Sequence, residues 1–127
     1  MYSWIQVFDD NGKILHQVNL GGKPRLTDLA AAKDLFVSVD PWRRLMIFDG
    51  KLNIQYLQDL PAEPKQVLAT DRRIMVMDNS GVTVYDREGI ALKRLQVPAA
   101  QKMVLLPDGA LCVISSSGKV FFCGKDF

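Results

Sequence analysis

An all-β fold assembled from four-stranded antiparallel units is predicted by three observations. First, one shape recurs: IQVFDDNGKILHQV at 5–18, LMIFDGKLNIQYL at 45–57 and VTVYDREGIALKRL at 82–95 each join two extended apolar runs through an acidic turn. Second, the aromatic residues before the turn, Phe8, Phe48, Tyr85 and Phe121, stand 40, 37 and 36 residues apart, a spacing that marks repeat architectures. Third, the segments LFVSVD, IMVMDN and LCVISS are rich in β-branched and apolar residues and end in turn formers. A two-helix repeat has a similar period, but the local pattern is β. Together these observations specify propeller-type blades of four antiparallel strands, about three in the chain.

The elements follow in order. Residues 1–20 supply strands c and d of a split blade, around the turn DDNG. A blade at 24–60 takes PRLTDLA, LFVSVD, RLMIFD and NIQYLQDL as its strands a to d. The next, at 64–97, takes PKQVLA, IMVMDN, VTVYD and IALKRLQV. Residues 101–126 give QKMVLL, LCVISS and KVFFC, strands a, b and c of a last blade. LTDLAAAKDLF has a helical look because of its alanines, but its counterparts VLATDRRIM and VLLPDGALC do not, and agreement among copies outweighs one local propensity. Asp108–Gly109 predicts a hairpin in which both residues tolerate positive φ. The inward core is expected to hold Val37, Val39, Met46, Phe48, Val76, Val84, Val113 and Phe121.

A chain of 127 residues with 48% hydrophobic and 24% charged residues is one globular domain. A net charge of +2 lacks the basic excess of a duplex-DNA binder, so nucleic acid is disfavoured as a partner. The start MYSWIQVFDD has neither a basic nor an apolar leader region, and no apolar run is long enough to cross a bilayer. A cytoplasmic, membrane-free location is the expectation. Cys112 and Cys123 lie on neighbouring strands, where a cross-strand disulfide and two free thiols both fit.

At this level the chain resembles the NHL repeat. DLFVSVDPWRRLMIFDGKLN and WIQVFDDNGKIL are similar to its extended Arg-Ile-Gln-Val-Phe-Asp-x-x-Gly segment, and Pro24–Arg25, Pro107–Asp108–Gly109, Ile5–Phe8 with Gly12 and Arg44–Asp49 carry the match. The glycine that usually follows Pro-Arg is Leu26, and the usual Gly-Asn-His loop is replaced by Pro41–Arg44. Propellers of the WD and quinoprotein types share similar turns. VYDREGIALKRL also looks like the YD repeat of toxin shells, but that repeat recurs at about half this interval. A ring needs about four to eight blades. Three blades per chain therefore imply closure into a six-bladed ring by homodimerisation, or membership of a longer assembly.

Catalytic chemistry is hard to build from these residues. His16 is the only histidine, and Cys112 sits mid-strand among apolar neighbours, so a surface or interfacial histidine and a packed thiol are the expectations. No nucleophile-elbow, phosphate-loop or dinucleotide motif is present. The resemblance brings two further classes: lactonase-like hydrolytic propellers that use calcium, for which Asp40, Asp78 and Asn79 end the b strands at matching places, and RNA-binding propellers, which need a basic face with several aromatics. Turn capping accounts for the same Asp and Asn residues. No cofactor is implied. The remaining feature is positive charge at the starts of the a strands, Arg25, Lys65 and Lys102, placed at aligned positions as a basic collar at a channel mouth. The b–c loop adds Trp42, Arg43 and Arg44, an aromatic beside guanidinium groups, whereas Trp4 is expected to be packed. The reading is a non-catalytic scaffold for a protein or acidic peptide.

Overall fold

Alternation of apolar and polar residues, cut by tight turns, sorts the chain into four antiparallel sheets. The computed structural model describes residues 4–21 and 25–124, with backbone alone at 121–123. The first sheet pairs β1 (Trp4–Phe8) with β2 (Ile14–Asn19). The second runs in chain order through β3 (Asp28–Ala32), β4 (Leu35–Val39), β5 (Arg44–Asp49) and β6 (Ile54–Asp59). The third comprises β7 (Gln66–Ala69), β8 (Ile74–Asp78), β9 (Gly81–Tyr85) and β10 (Ala91–Gln96). The fourth comprises β11 (Ala100–Leu105), β12 (Leu111–Ser115) and β13 (Val120–Gly124). Among the described residues there is no helix, so LTDLAAAKDLF is a hairpin whose first strand is Asp28–Ala32, while Pro24 of the expected strand lies outside the described residues.

One turn geometry recurs through these sheets. In 9–13, 40–44, 49–53 and 86–90 the leading aspartate donates its backbone N–H to the carbonyl of the residue four later, and its own carbonyl accepts the N–H three later. Its carboxylate Oδ1 then collects the N–H groups at the second and fourth following residues: Asn11 and Lys13, Trp42 and Arg44, Lys51 and Asn53, Glu88 and Ile90. This is a type I turn closed by a left-handed residue, the usual three-residue hairpin loop. Gly12 and Gly89 fill the left-handed place easily, but in the other two turns it is held by Arg43 (φ 63°) and Leu52 (φ 65°). The same backbone pattern, without an aspartate, forms 106–110 and 115–119. At 106–110 only Gly109 takes a positive φ; Asp108 does not, because the loop has three residues rather than two.

Register then decides which side chains meet. Leu35, Val37, Val39, Leu45 and Ile47 of the second sheet pack on Val67, Ile74, Val76 and Tyr85 of the third. Met75, Met77, Val82 and Val84 leave the opposite face of the third sheet and pack on Met103, Leu111 and Val113 of the fourth. Ile5 of β1 covers Phe48 and Leu52. Each sheet thus lies face to face on the next, as blades do. Of the expected core, Val37, Val39, Phe48, Val76, Val84 and Val113 are buried. Met46 is only partly buried, since it faces the smaller first sheet. The side chain of Phe121 lies outside the described residues.

Polar contacts repeat the apolar ones at the inner strands. Asp28 Oδ2 accepts the Val67 N–H at 3.0 Å. One blade on, Gln66 grips Met103 at two points, its Oε1 accepting the N–H and its Nε2 donating to the carbonyl, both at 2.8 Å. Asp28 pairs with Val39, Gln66 with Met77 and Lys102 with Ile114, so these three residues hold the same place in their blades. At the other end of the sheets, the Arg87 guanidinium donates to the carbonyls of Lys33, Asp34 and Asp71, tying the 86–90 turn across two blades.

Gly81 makes the tightest backbone approach. A Cβ there would run into the Leu95 carbonyl oxygen and sit 3.2 Å from the Val97 nitrogen. Neither neighbour is a flexible side chain, so Gly81→Ala is expected to cost about 3 kcal/mol, read as a lowered chemical-denaturation midpoint at unchanged slope.

Candidate binding face

The starts of the a strands and the b–c loops open at the same end of the blades, because each b strand returns the chain to the level at which its a strand began. All six residues singled out in the sequence lie near that end. They do not form the collar of equivalent cations that sequence alignment implied. Arg25 lies three residues before β3, Lys65 lies one residue before β7, and Lys102 is inside β11. By backbone pairing the counterpart of Lys65 is Thr27, whose N–H binds Val39 O as the Lys65 N–H binds Met77 O. Lys102 alternates with Met103, which faces the third sheet, so it projects from the outer flank of the last blade instead. Lys102 pairs with Ile114 as Gln66 pairs with Met77, so its counterpart is Gln66, 36 residues earlier, the same interval that separates Tyr85 from Phe121.

The b–c loop at 40–44 is held by several hydrogen bonds to one side chain. Asp40 is 1% exposed, and besides collecting two backbone N–H groups it pairs through Oδ2 with Arg44 Nε at 2.8 Å. Arg44 is therefore neutralised at the root of the loop. Arg43 stays exposed in a left-handed conformation, its carbonyl accepting the Leu60 N–H, and Trp42 beside it is 44% exposed. A bulky side chain held at positive φ is strained by about 1–2 kcal/mol, the kind of local cost that gathers at sites of recognition. Lys65 Nζ donates to Ala100 O at 2.9 Å and spans two blades while remaining exposed, and Arg25 is exposed nearby in sequence to β3.

The third sheet carries a cluster that the sequence reading missed. Arg94, on β10, reaches the end of β8 and forms a two-point pair with Asp78, NH1 to Oδ2 at 2.7 Å and NH2 to Oδ1 at 2.8 Å. It also donates to Thr83 Oγ1 and Ser80 Oγ, while Ser80 N–H and hydroxyl bind Asp78. Burial alone pushes the Asp78 carboxyl up, but Arg94 and Ser80 outweigh it and hold the group below its ordinary value; Asp78 in turn raises Arg94. The only signal for this pair in the sequence is an arginine in the middle of a d strand. Asp40 and Asp78, two of the three residues that a calcium-using propeller would draw on, are thus engaged by arginines and turn amides. Among the described residues no three His, Cys, Asp or Glu residues gather as a metal site.

One other expectation changes. Trp4 is 53% exposed rather than packed, because it alternates with Ile5 and leaves the face of β1 away from Phe48. Cys112 is a buried free thiol; the side chain of Cys123 lies outside the described residues. His16 is half-buried on β2. At the opposite end of the blades a cleft of about 300 Å³ opens between the second and third sheets, lined by Asp34, Asp49, Tyr56, Arg87 and Glu88 among others. Its arginine is spent on carbonyls, and the Asn53 backbone and side-chain amides hold Asp49 ionised below the usual carboxylate range.

No family model and no curated protein sequence matches the chain. Solved structures do. BamB from Moraxella catarrhalis superposes with a TM-score of 0.74 at 14% identity, covering 90% of this chain and 38% of that one. HIRA residues 644–1017 superpose with a TM-score of 0.68 at 17% identity, covering 95% of this chain and 42% of that one. Both are β-propellers, and at these identities the likeness shows the fold: the chain is a set of propeller blades, spanning less than half the length of either match. Among the described residues no helix is long and apolar enough to cross a membrane.

Removing one partner of a pair whose carboxylate is buried is costly, so Arg94→Ala is expected to lose about 3 kcal/mol of stability. The pH dependence has a defined sign. Asp78 binds a proton less readily in the folded chain than in the unfolded one, so its contribution is complete above about pH 4 and fades as pH falls through the lower folded value. Asp78→Asn should be less stable at neutral pH and lose part of the acid-side slope in thermal melts taken from pH 6 to pH 2 (all pH values being approximate set points).

Proposed function

We propose that the chain is a non-catalytic, NHL-like binding module that takes a protein or acidic peptide on the face bearing the 40–44 loop, and that it acts as a homodimer whose blades close a six-membered ring. The observation that carries the binding reading is Trp42 and Arg43, exposed side by side on a loop whose root is fixed by the buried Asp40. A flat aromatic offers apolar and stacking contact, and a guanidinium beside it offers a planar fork for carboxylates. Arg25 and Lys65 add positive charge at the same end and would draw an acidic partner toward it. Lys102 belongs to the flank and is left out of the ligand set. Because Asp40 neutralises Arg44, Arg43 is the guanidinium that remains for a ligand.

The test is titration of a short Glu-rich peptide, followed by calorimetry and by Trp42 fluorescence in a Trp4→Phe background. Saturable binding weakened about tenfold by Trp42→Ala supports the reading, that being the scale of a central aromatic contact. Binding that is unchanged in Trp42→Ala and in Arg25→Glu/Lys65→Glu overturns it. Arg43→Gly separates function from stability: relief of the left-handed strain should keep or raise the melting temperature, by up to about 1 kcal/mol of stability, while peptide affinity falls.

A further inference from the structure

The two ends of the blade series are incomplete in complementary ways. Among the described residues the first sheet holds strands c and d alone, so it brings no inner strand to pair with the outer face of β3, although Ser38 of β4 is covered at 1% exposure. Leu29 shows the consequence. It holds the place that Val67 and Met103 hold in the next two blades; those are 1% and 0% exposed, because the preceding inner strands cover them, but Leu29 is 43% exposed. Its N–H, which in the later blades binds a side chain of the preceding blade, is taken by its own Asp28 Oδ1 at 2.9 Å. The last sheet has the opposite surplus. Its inner pair β11–β12 is complete, with Lys102 at the Asp28 and Gln66 position, Val104 half-buried, and no following blade to receive them.

The outer strands tell the same story. In the second and third blades the c-strand aromatic faces the preceding blade and is buried: Phe48 is 0% exposed and Tyr85 is 5% exposed. Phe8 is the counterpart in the first blade, and with Trp4 it projects from the same side of β1, at 52% and 53% exposure. Two large aromatics are thus presented on a face that other blades bury. The inner edge of β1, where a b strand pairs in each full blade, is open as well.

We infer that a second copy of this chain fills both vacancies, and that the joint is a shared blade in which β12 of one copy pairs with β1 of the other. This rests on the homodimer reading above and specifies its geometry. The composite blade takes strands a and b from β11–β12 and strands c and d from β1–β2. It follows blade order: β11–β12 remain packed on their own third sheet and lay their outer flank over β3 and Leu29 of the second copy. β1 carries Trp4 and Phe8 onto the third sheet of the first copy. In this arrangement β13 is the surplus strand and yields its place beside β12. β1 cannot be the one to yield, since Ile5 is 4% exposed over Phe48 and Leu52. Lys102, a donor with no acceptor capacity, suits the Leu29 site, where the N–H is already satisfied and the backbone carbonyl and the Asp28 carboxylate remain as acceptors. Three blades are too few to close a ring. Two copies give six.

The experiment is light scattering after size exclusion on the full chain across a range of concentrations, repeated for Leu29→Lys, Phe8→Asp, and Leu29→Lys with Lys102→Glu. Leu29 and Phe8 are exposed, so circular dichroism should be unchanged in every variant. The expected result is a dimer for the unmodified chain, dissociation at least about tenfold easier for each single variant, and recovery in the charge-paired double variant. A dimer whose dissociation is unaffected by Leu29→Lys and Phe8→Asp overturns the shared blade and leaves self-association standing by another surface. An unmodified chain that stays monomeric at every concentration overturns both.

Discussion

A single carboxylate oxygen that gathers two backbone N–H groups is the contact on which this architecture rests. The turns led by Asp9, Asp40, Asp49 and Asp86 all use it. A β-hairpin slipped by one residue turns every side chain to the wrong face, so whatever fixes the loop also fixes the core. Here the aspartate fixes it by satisfying amides that a tight loop would otherwise leave to water. The face-to-face packing of Val37, Val39, Leu45 and Ile47 on the next sheet follows from that register. The turn is strong enough in context to hold Arg43 and Leu52 in a left-handed conformation, without the glycine found at Gly12 and Gly89.

That constraint explains what could be read from the chain in advance. The repeated Phe/Tyr-Asp step is the last residue pair of a c strand and the first of its turn, so it reports strand, turn and period together. Apolar alternation then identified most of the buried residues. The candidate face was less legible, for two physical reasons. A difference of one residue moves a strand side chain to the opposite face, and Lys102 pairs with Ile114 as Gln66 pairs with Met77, so its match is Gln66 rather than Lys65. Ion pairing across strands is invisible to local pattern: nothing near Arg94 in the sequence indicates that it ends on Asp78, sixteen residues earlier, or that Arg44 is consumed by Asp40 while Arg43 is not. Trp4 was misjudged for a third reason. A strand residue is packed only if a neighbour covers its face, and that neighbour is not present beside β1.

Three arginines on the blades are used for construction. Arg87 serves three carbonyls, Arg94 serves a buried carboxylate and two hydroxyls, and Arg44 closes a loop. The cations are thus divided between a few that hold blades together and a larger set exposed at the surface. Side chains that look interchangeable in composition perform different work according to which strand delivers them. The exposed pair Trp42–Arg43 stands out because its loop is rigid at the base and open at the tip.

The inner-strand bonds have an evolutionary reading. Asp28 and Gln66 each reach from one blade to the next, but what they bind is main chain: the amide of Val67 and both polar groups of Met103. A receiving blade offers those groups whatever its side chains are. Such a joint makes no demand on the identity of its neighbour, so blades can diverge, duplicate or be exchanged between genes without losing the seam that unites them. Lineages built this way can keep a common shape long after shared sequence has faded, and fragments of a ring remain parts that fit other rings.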